Sequence, residues 1–533
     1  MVQSLPALPF DCIYNILKEL QHIHKSSLFN WLFLNRLWCE QTVPFVWKNP
    51  LLISHKCSFK NRVSFIRTLL LFFDHVELSK LKELNIDLKH IIQENQRPLF
   101  NYVEYFEEIP FLSGCIRSWL FEYFNLDEKN QSGIPAGFFE HKIQPIESLI
   151  KHMILRRSKR LKTICPIQNE IYVEIFDKEF FDFNLFRLKN TLQTFKMTIY
   201  PKTSNNILIL SKSIIDKNIH HLENFIIDFY EKQDFSLSIP LLGNIIKNQT
   251  RVKSLELTGQ LYNKHLEYIP IFLSLNSHQN NLILLKFFNI KFTNISLNIL
   301  MKCVTLKELL ISGCDGISLE NIKLFSNALF KLNDLSIFNQ SNLSFNITTS
   351  IIKFLGNPLK CLLLDQLTND ISKSLLYYAS NLSTLFLYDD DLLYDISLIF
   401  DFLKSSRLEN LHIIHQNYNY SINYNIIKSL SKSLPSTLKL FEFYFYYLSS
   451  ENFKDLFDLC NTPLLKSLIL ICFNSTFYTN YNLEAIVNYI KFKNNNLKYL
   501  EICSPKFRDW EIDELYLLEI LWKIGVEVQI KDL

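Results

Sequence analysis

The sequence predicts an α/β solenoid in which short parallel strands stand side by side, each followed by a helical return, with a small all-α segment in front. Three observations predict it. An apolar spacing of the form L-x-x-L-x-L recurs from starts at Leu192, Leu222, Val252, Leu282, Leu306, Leu332, Leu359, Leu382, Leu408, Leu438, Leu465 and Leu497. Successive starts are 23 to 32 residues apart, enough chain for one strand and one helix. Residues 1–50 break that period and carry their apolar residues at helical spacing instead.

The unit from Leu306 to Ser318 shows why the chain has to repeat. Leu309 and Ile311 are two apart and face one side of a strand; Leu306 enters the same core from the preceding turn, and Cys314 and Ile317 follow where the backbone turns away. A helix is expected from Ser318, with Glu320 in its first turn and Ile322, Leu324 and Phe325 behind it. One such unit cannot bury its own apolar face, so it needs copies on either side. The spacing resembles that of the leucine-rich repeat, which implies a leucine-rich-repeat solenoid, a curved parallel sheet with its helices outside.

Taken in order, the chain opens with three short helices. Pro9 suits a first turn whose amide is unpaired anyway, and Ile13, Ile16, Leu17 and Leu20 form one apolar helical face. A second segment carries Leu28, Trp31, Leu32 and Leu34, and a third carries Arg36, Trp38, Val43, Pro44, Val46 and Trp47. Together with the run Leu34-Asn35-Arg36-Leu37-Trp38, these residues resemble an F-box over residues 5–50. Asp11 follows Phe10, where the family usually has an acidic residue directly after the Leu-Pro-x step, Ser27 replaces its usual Asp and Asn35 its frequent Cys, while the large apolar anchors are kept. The resemblance implies docking on the Skp adaptor of an SCF-type cullin-RING ubiquitin ligase through Leu8, Pro9, Ile13, Ile16, Leu17, Leu20, Leu34, Trp38 and Trp47. Size points the same way, because three short helices cannot hide this many Leu, Ile and Trp residues, and a partner helix would cover the excess. The plainer reading is that the trio only caps the solenoid.

Residues 51–150 read as a helical linker and N-terminal cap. Val63, Ile66, Leu69, Leu70 and Phe73 mark one helix; Phe100, Val103, Phe106 and Ile109 mark another between Pro98 and Pro110. Leu81 to Ile86 imitates a repeat without a neighbour one period upstream, and Gly133 to Gly137 reads as a loop. A helix from Ile146 to Arg160 then leads to a degenerate first repeat, Leu161 to Ile164. Its cluster Arg156, Arg157, Lys159, Arg160 is either a nuclear-import or anion-binding patch or a solvated helix end that complements the dipole. The expected boundaries are therefore 1–50, 51–150 and 151–533. An Asn/Tyr-rich surface loop is expected at 417–425, and a last strand with Val526, Val528 and Ile530 closes the stack.

Bulk properties narrow the function. A net charge of +3 from 56 basic and 53 acidic residues suggests neither a nucleic-acid nor a membrane partner. Eleven scattered cysteines without a CxxC pair argue against a disulfide framework and structural zinc, and no secretory leader or membrane span is visible. A soluble chain in the cytoplasm or nucleus is expected. Catalysis finds no foothold, since there is no Gly-rich phosphate loop, HExxH or GxSxG, and the pairs His220-His221 and His412 with His415 lack a third ligand. No cofactor or metal is expected.

Target binding is expected on the inner face of the sheet, where residues between the buried leucines meet solvent. Phe338, Phe386, Tyr388, His412, Glu442 and Tyr444 fall there and form a candidate surface for a protein partner. Strand propensity in a Phe/Tyr-rich chain is the competing account of the same residues.

Overall fold

Every one of the twelve repeat starts is buried and lies two residues ahead of a strand. The structure, a computed structural model, describes residues 8–23, 28–50, 58–88, 98–110, 112–126, 139–164, 187–199, 212–229, 235–259, 268–318, 321–338, 345–365, 367–388, 396–414, 424–445, 448, 450–472, 480–493, 496–504 and 511–532. The expected loop at 133–137 and residues 417–423 of the one expected at 417–425, together with Glu320 and His415, lie outside the described residues, while Tyr424 and Asn425 open the helix Tyr424–Ser433 instead of ending a loop. The chain divides into two compact units, residues 1–230 with 248–251, and residues 231–247 with 252–533.

The first unit holds helices α1 (Phe10–Ile23), α2 (Leu28–Trp31), α3 (Arg36–Trp47), α4 (Phe59–Leu70), α5 (His75–Glu83), α6 (Ser113–Tyr123) and α7 (Glu140–Arg157). Strands β1 (Thr163–Ile164), β2 (Thr194–Ile199) and β3 (Asn224–Phe229) follow, paired parallel in that order. The second unit carries eleven parallel strands in chain order. They are β4 (Ser254–Thr258), β5 (Leu284–Phe288), β6 (Glu308–Ser312), β7 (Asp334–Phe338), β8 (Cys361–Leu364) and β9 (Thr384–Tyr388), then β10 (Asn410–Ile414), β11 (Leu440–Phe445), β12 (Ser467–Cys472), β13 (Tyr499–Ser504) and β14 (Glu527–Asp532). Parallel neighbours need a crossover between them, and helices such as Asn369–Tyr378, Tyr424–Ser433, Ser450–Leu459 and Asn480–Phe492 supply it. The fold is an α/β solenoid of leucine-rich-repeat type behind a helical N-terminal region.

A single hydrogen-bond device sets the register within each unit. The carbonyl just ahead of a strand accepts two successive amides from the next repeat: Lys360 and Cys361 donate to Asn333, Ser383 and Thr384 to Lys360, Glu409 and Asn410 to Ser383, and Lys439 and Leu440 to Glu409. Inside the strands, burial alternates with the pleat, so Leu255 and Leu257, Leu285 and Phe287, Leu411 and Ile413 all point to the helices. Cys314 lies where the spacing puts it, buried after β6, its thiol donating to the Phe287 and Ser312 carbonyls at 3.4 and 3.3 Å. Burial pushes that thiol up to about 12. Gly316, at φ +83°, sits where a Cβ would run into the Phe292 carbonyl.

Several expectations are corrected. Residues Phe100 to Ile109 form no helix beyond the 3-10 turn Tyr102–Tyr105. The backbone is needed elsewhere, because Glu107 accepts from the Lys162 and Thr163 amides and donates to the Lys48 carbonyl, acting as the edge on which the first repeat stacks. Leu81 to Ile86, by contrast, only imitates a repeat, in keeping with the helical reading of this region. Leu81 belongs to α5, which Asp74 and Glu77 start with a capping box and which closes at Asn85, φ 59°. The return after Ile317 is a 3-10 segment, Ile322–Asn327, and the side chain that closes on the Ser318 amide is that of Asn321. Helix α7 spans Glu140–Arg157 rather than residues 146–160. Within the first unit, Trp47 of the N-terminal trio packs on Phe65 and Tyr102.

Candidate functional site

The N-terminal trio closes a core of its own and still leaves apolar side chains outside. Helix α1 begins as expected, with the Cys12 and Ile13 amides donating to the Pro9 carbonyl at 3.0 and 3.2 Å. Asn35 is the N-cap of α3, accepting the Trp38 amide at 3.0 Å. Ile13, Leu17, Leu28 and Val46 are fully buried, with Leu20, Trp31, Leu32, Trp38, Phe45 and Trp47 packed around them. Ile13, Leu17 and Leu20 stand at i, i+4 and i+7 and all point inward, whereas Ile16 is rotated off that line and is 36% exposed.

Of the nine residues expected to face the adaptor, Leu8, Pro9, Ile16 and Leu34 face solvent. Ile13 and Leu17 are core residues that hold the surface from behind. Leu20, Trp38 and Trp47 are partly buried. Trp38 stacks on Trp31 with ring centroids 4.6 Å apart, and Trp47 stacks on Tyr102 at 4.4 Å, which fastens the trio to the following segment. The expectation missed Phe10, Tyr14, Phe33 and Leu37, which are 55%, 47%, 85% and 36% exposed. Phe10 and Tyr14 are four apart on α1, a stripe the sequence spacing already contains.

The open face of the second unit, opposite the helices, presents the other candidate surface. Strand register aligns Leu363, Phe386, His412, Glu442, Ile469 and Glu501 in one row across β8 to β13, and Tyr388, Ile414 and Tyr444 in a neighbouring row. Phe386 stacks on the His412 ring at 3.9 Å and 13°, and His412 Nδ1 is hydrogen-bonded to Glu442 Oε2. Burial and the Glu442 carboxylate, which takes the Tyr444 hydroxyl, together raise that phenol above its ordinary range. Tyr499 donates to Glu501 Oε2 at 2.5 Å and is raised likewise, by burial first and Glu501 second. Phe338 lies apart from this group, near Phe288 at 6.4 Å. All six expected residues are half-buried on this face, and five of them gather on β9 to β11. The result is an apolar and aromatic surface with pre-ordered hydrogen-bonding groups, a combination suited to a protein partner.

The basic cluster at the end of α7 is tied up inside the first unit. Arg156 bonds Glu77 at 2.9 Å and pairs with Asp74, Lys159 meets Glu104 at 3.0 Å, and Arg157 and Arg160 lie over Phe72 and Tyr105. His220 Nδ1 is 3.1 Å from the Asn248 carbonyl, and His221 meets the Lys189 carbonyl. Among the described residues no group of three or more His, Cys, Asp or Glu is placed to hold a metal, and no helix is long and apolar enough to cross a membrane.

No protein-family model matches the chain, and no curated protein sequence does. Among solved structures it is similar to the leucine-rich repeat-containing protein LegL7 from Legionella pneumophila, at 16% identity and TM-score 0.35 over 51% of this chain and 90% of that one. It is also similar to a structure of the Rad7 and Elc1 complex in yeast, at 18% identity and TM-score 0.36, covering 65% and 83%. A Bacteroides fragilis protein aligns at 11% identity and TM-score 0.22, covering 71% and 76%.

Proposed function

We propose that this chain is the substrate-recognition subunit of an SCF-type ubiquitin ligase, with its N-terminal trio on a Skp-family adaptor and a target protein on the open face of its repeats. One observation carries the reading: a helical trio whose core is already closed still exposes Leu8, Phe10, Tyr14, Ile16, Phe33, Leu34 and Leu37. An apolar patch of that density on so small an element is satisfied by a partner. The resemblance of residues 5–50 to an F-box names the partner as the adaptor and, through it, a cullin-RING ligase. The chain's contribution to ubiquitin transfer is positional. Holding a target lysine near a charged conjugating enzyme raises its effective concentration, and no side chain here takes part in the chemistry.

A repeat scaffold without a ligase is the second reading, and the packing of Trp47 on Phe65, Tyr102 and Phe106 favours it, since it also fits a trio that merely caps the stack. A pull-down with purified Skp adaptor separates the two. Wild type is expected to bind, and Leu8→Ala, Ile16→Ala, Leu34→Ala combined is expected to weaken binding at least ~100-fold, since hot-spot truncations cost about 1–2 kcal/mol each. All three side chains are exposed, so the variant keeps its melting profile. A folded wild type that ignores the adaptor leaves the scaffold reading. On the open face, Phe386→Ala with Tyr388→Ala is expected to lower target capture about tenfold while adaptor binding is unchanged. Unchanged capture returns those residues to strand propensity.

A further inference from the structure

Lys439, Lys466 and Lys498 stand directly ahead of β11, β12 and β13. The Lys466 amide donates to the Lys439 carbonyl and the Lys498 amide to the Lys466 carbonyl, both at 2.8 Å. Three ammonium groups therefore leave neighbouring strands with backbones about 4.8 Å apart. Glu409 neutralises Lys439 at 2.6 Å. Lys466 and Lys498 are exposed and meet no carboxylate among the described residues. Like charges on adjacent strands destabilise a sheet, so the fold itself gains nothing from this arrangement. Compensation of a helix dipole does not account for it either, because both lysines follow the turn and precede the first strand residue instead of lying in a last helical turn.

The same set of turns exposes apolar surface. Leu464, Phe492, Trp522 and Ile524, in or next to the turns ahead of β12, β13 and β14, are 46%, 81%, 74% and 43% exposed. Asn496 Nδ2 donates to the Pro463 carbonyl at 2.8 Å, which ties the turn ahead of β13 to the one ahead of β12.

We propose that the turns ahead of β12 to β14 bind an acidic, partly apolar segment of a partner protein, with its carboxylates on Lys466 and Lys498 and its apolar side chains on Leu464 and Phe492. This rests on the reading that the repeats hold a protein target. Two free lysines favour a short acidic peptide over a polynucleotide, whose affinity rests on neutralising many phosphates at once.

The test uses the full chain and a short fluorescein-labelled peptide of repeating Glu-Glu-Leu, followed by fluorescence anisotropy at about 0.15 M salt, where exposed charges are screened beyond about 8 Å. Wild type is expected to bind. Lys466→Glu with Lys498→Glu is expected to weaken binding at least tenfold, and Leu464→Ser with Phe492→Ser about threefold. The matched reversal Lys404→Glu with Lys432→Glu, at two exposed helix ends, changes it less than about twofold. Absence of wild-type binding, an equal loss from both charge reversals, or equally tight binding of a single-stranded oligonucleotide with the same lysine dependence would each overturn the proposal. Adaptor pull-down of the same variants is expected to be unchanged, so a failure on this surface is read apart from a failure of the adaptor reading.

Discussion

Replacing Phe287 by alanine is expected to remove about 3–5 kcal/mol of stability, the usual cost of deleting a phenyl ring from a close-packed core. Phe287 is fully buried on β5, its ring 5.4 Å from Phe272 and 5.3 Å from Phe292, in register with Leu257 and Ile311 on the flanking strands. No backbone motion can close that space without breaking the strand ladder on both sides. The adjacent Phe288 faces the open side, and its alanine variant is the matched control, expected to cost less than about 1 kcal/mol. Because each repeat contacts only its neighbours, the damage is local. Hydrogen exchange should show β4 to β6 opening while β11 to β13 keep their protection.

The second large effect is a loss of stability on acidification. Burial in α7, with Lys80 and Arg156 nearby, pushes the His152 imidazole down from 6.5 to about 4. In the unfolded chain the ring takes its proton near 6.5; in the folded chain it does so only near 4. As pH falls through that window the unfolded state binds the extra proton, and folding is penalised. Stability is fully present above about 6.5, is lost progressively down to about 4, and is flat below. Between about pH 7.5 and pH 5 the loss is about 2 kcal/mol, because each tenfold rise in proton concentration below 6.5 favours the unfolded chain by about 1.4 kcal/mol. Urea midpoints at the two pH values measure it. His152→Met should remove this part of the pH dependence, and a variant with an unchanged pH response would locate the effect elsewhere.

Much of the fold is legible in the sequence because one pattern is used twelve times. Leu192 through Leu497 mark strand positions to the residue, since a buried anchor at a fixed offset is required by stacking itself. The segments that mislead are single ones, where local spacing fits two structures. Leu81 and Leu84 satisfy both a repeat and a helix, and the Asp74 side chain accepting the Val76 and Glu77 amides decides for the helix. Phe100 to Ile109 has helical spacing, yet Glu107 serves Lys48 and the first repeat, and tertiary pairing overrides propensity. The candidate adaptor surface is half legible. Leu8 and Ile16 face outward as the resemblance implies, but a set of apolar residues cannot say that Ile13 and Leu17 point inward until the neighbouring helices are in place. The lysine ladder is invisible in the sequence for a similar reason: Lys466 and Lys498 are 32 residues apart in the chain and become neighbours only through strand register.

The shared carbonyl ahead of each strand has a consequence for how such a chain can change over time. The return from Leu359 to Leu382 takes 23 residues and that from Leu465 to Leu497 takes 32, yet both deliver the next strand to the same two-amide clasp. Spacing in the wall is therefore independent of the length of chain looped behind it. Insertions and deletions can accumulate in the returns, altering whatever the outer side displays, while the lattice of strands stays in step.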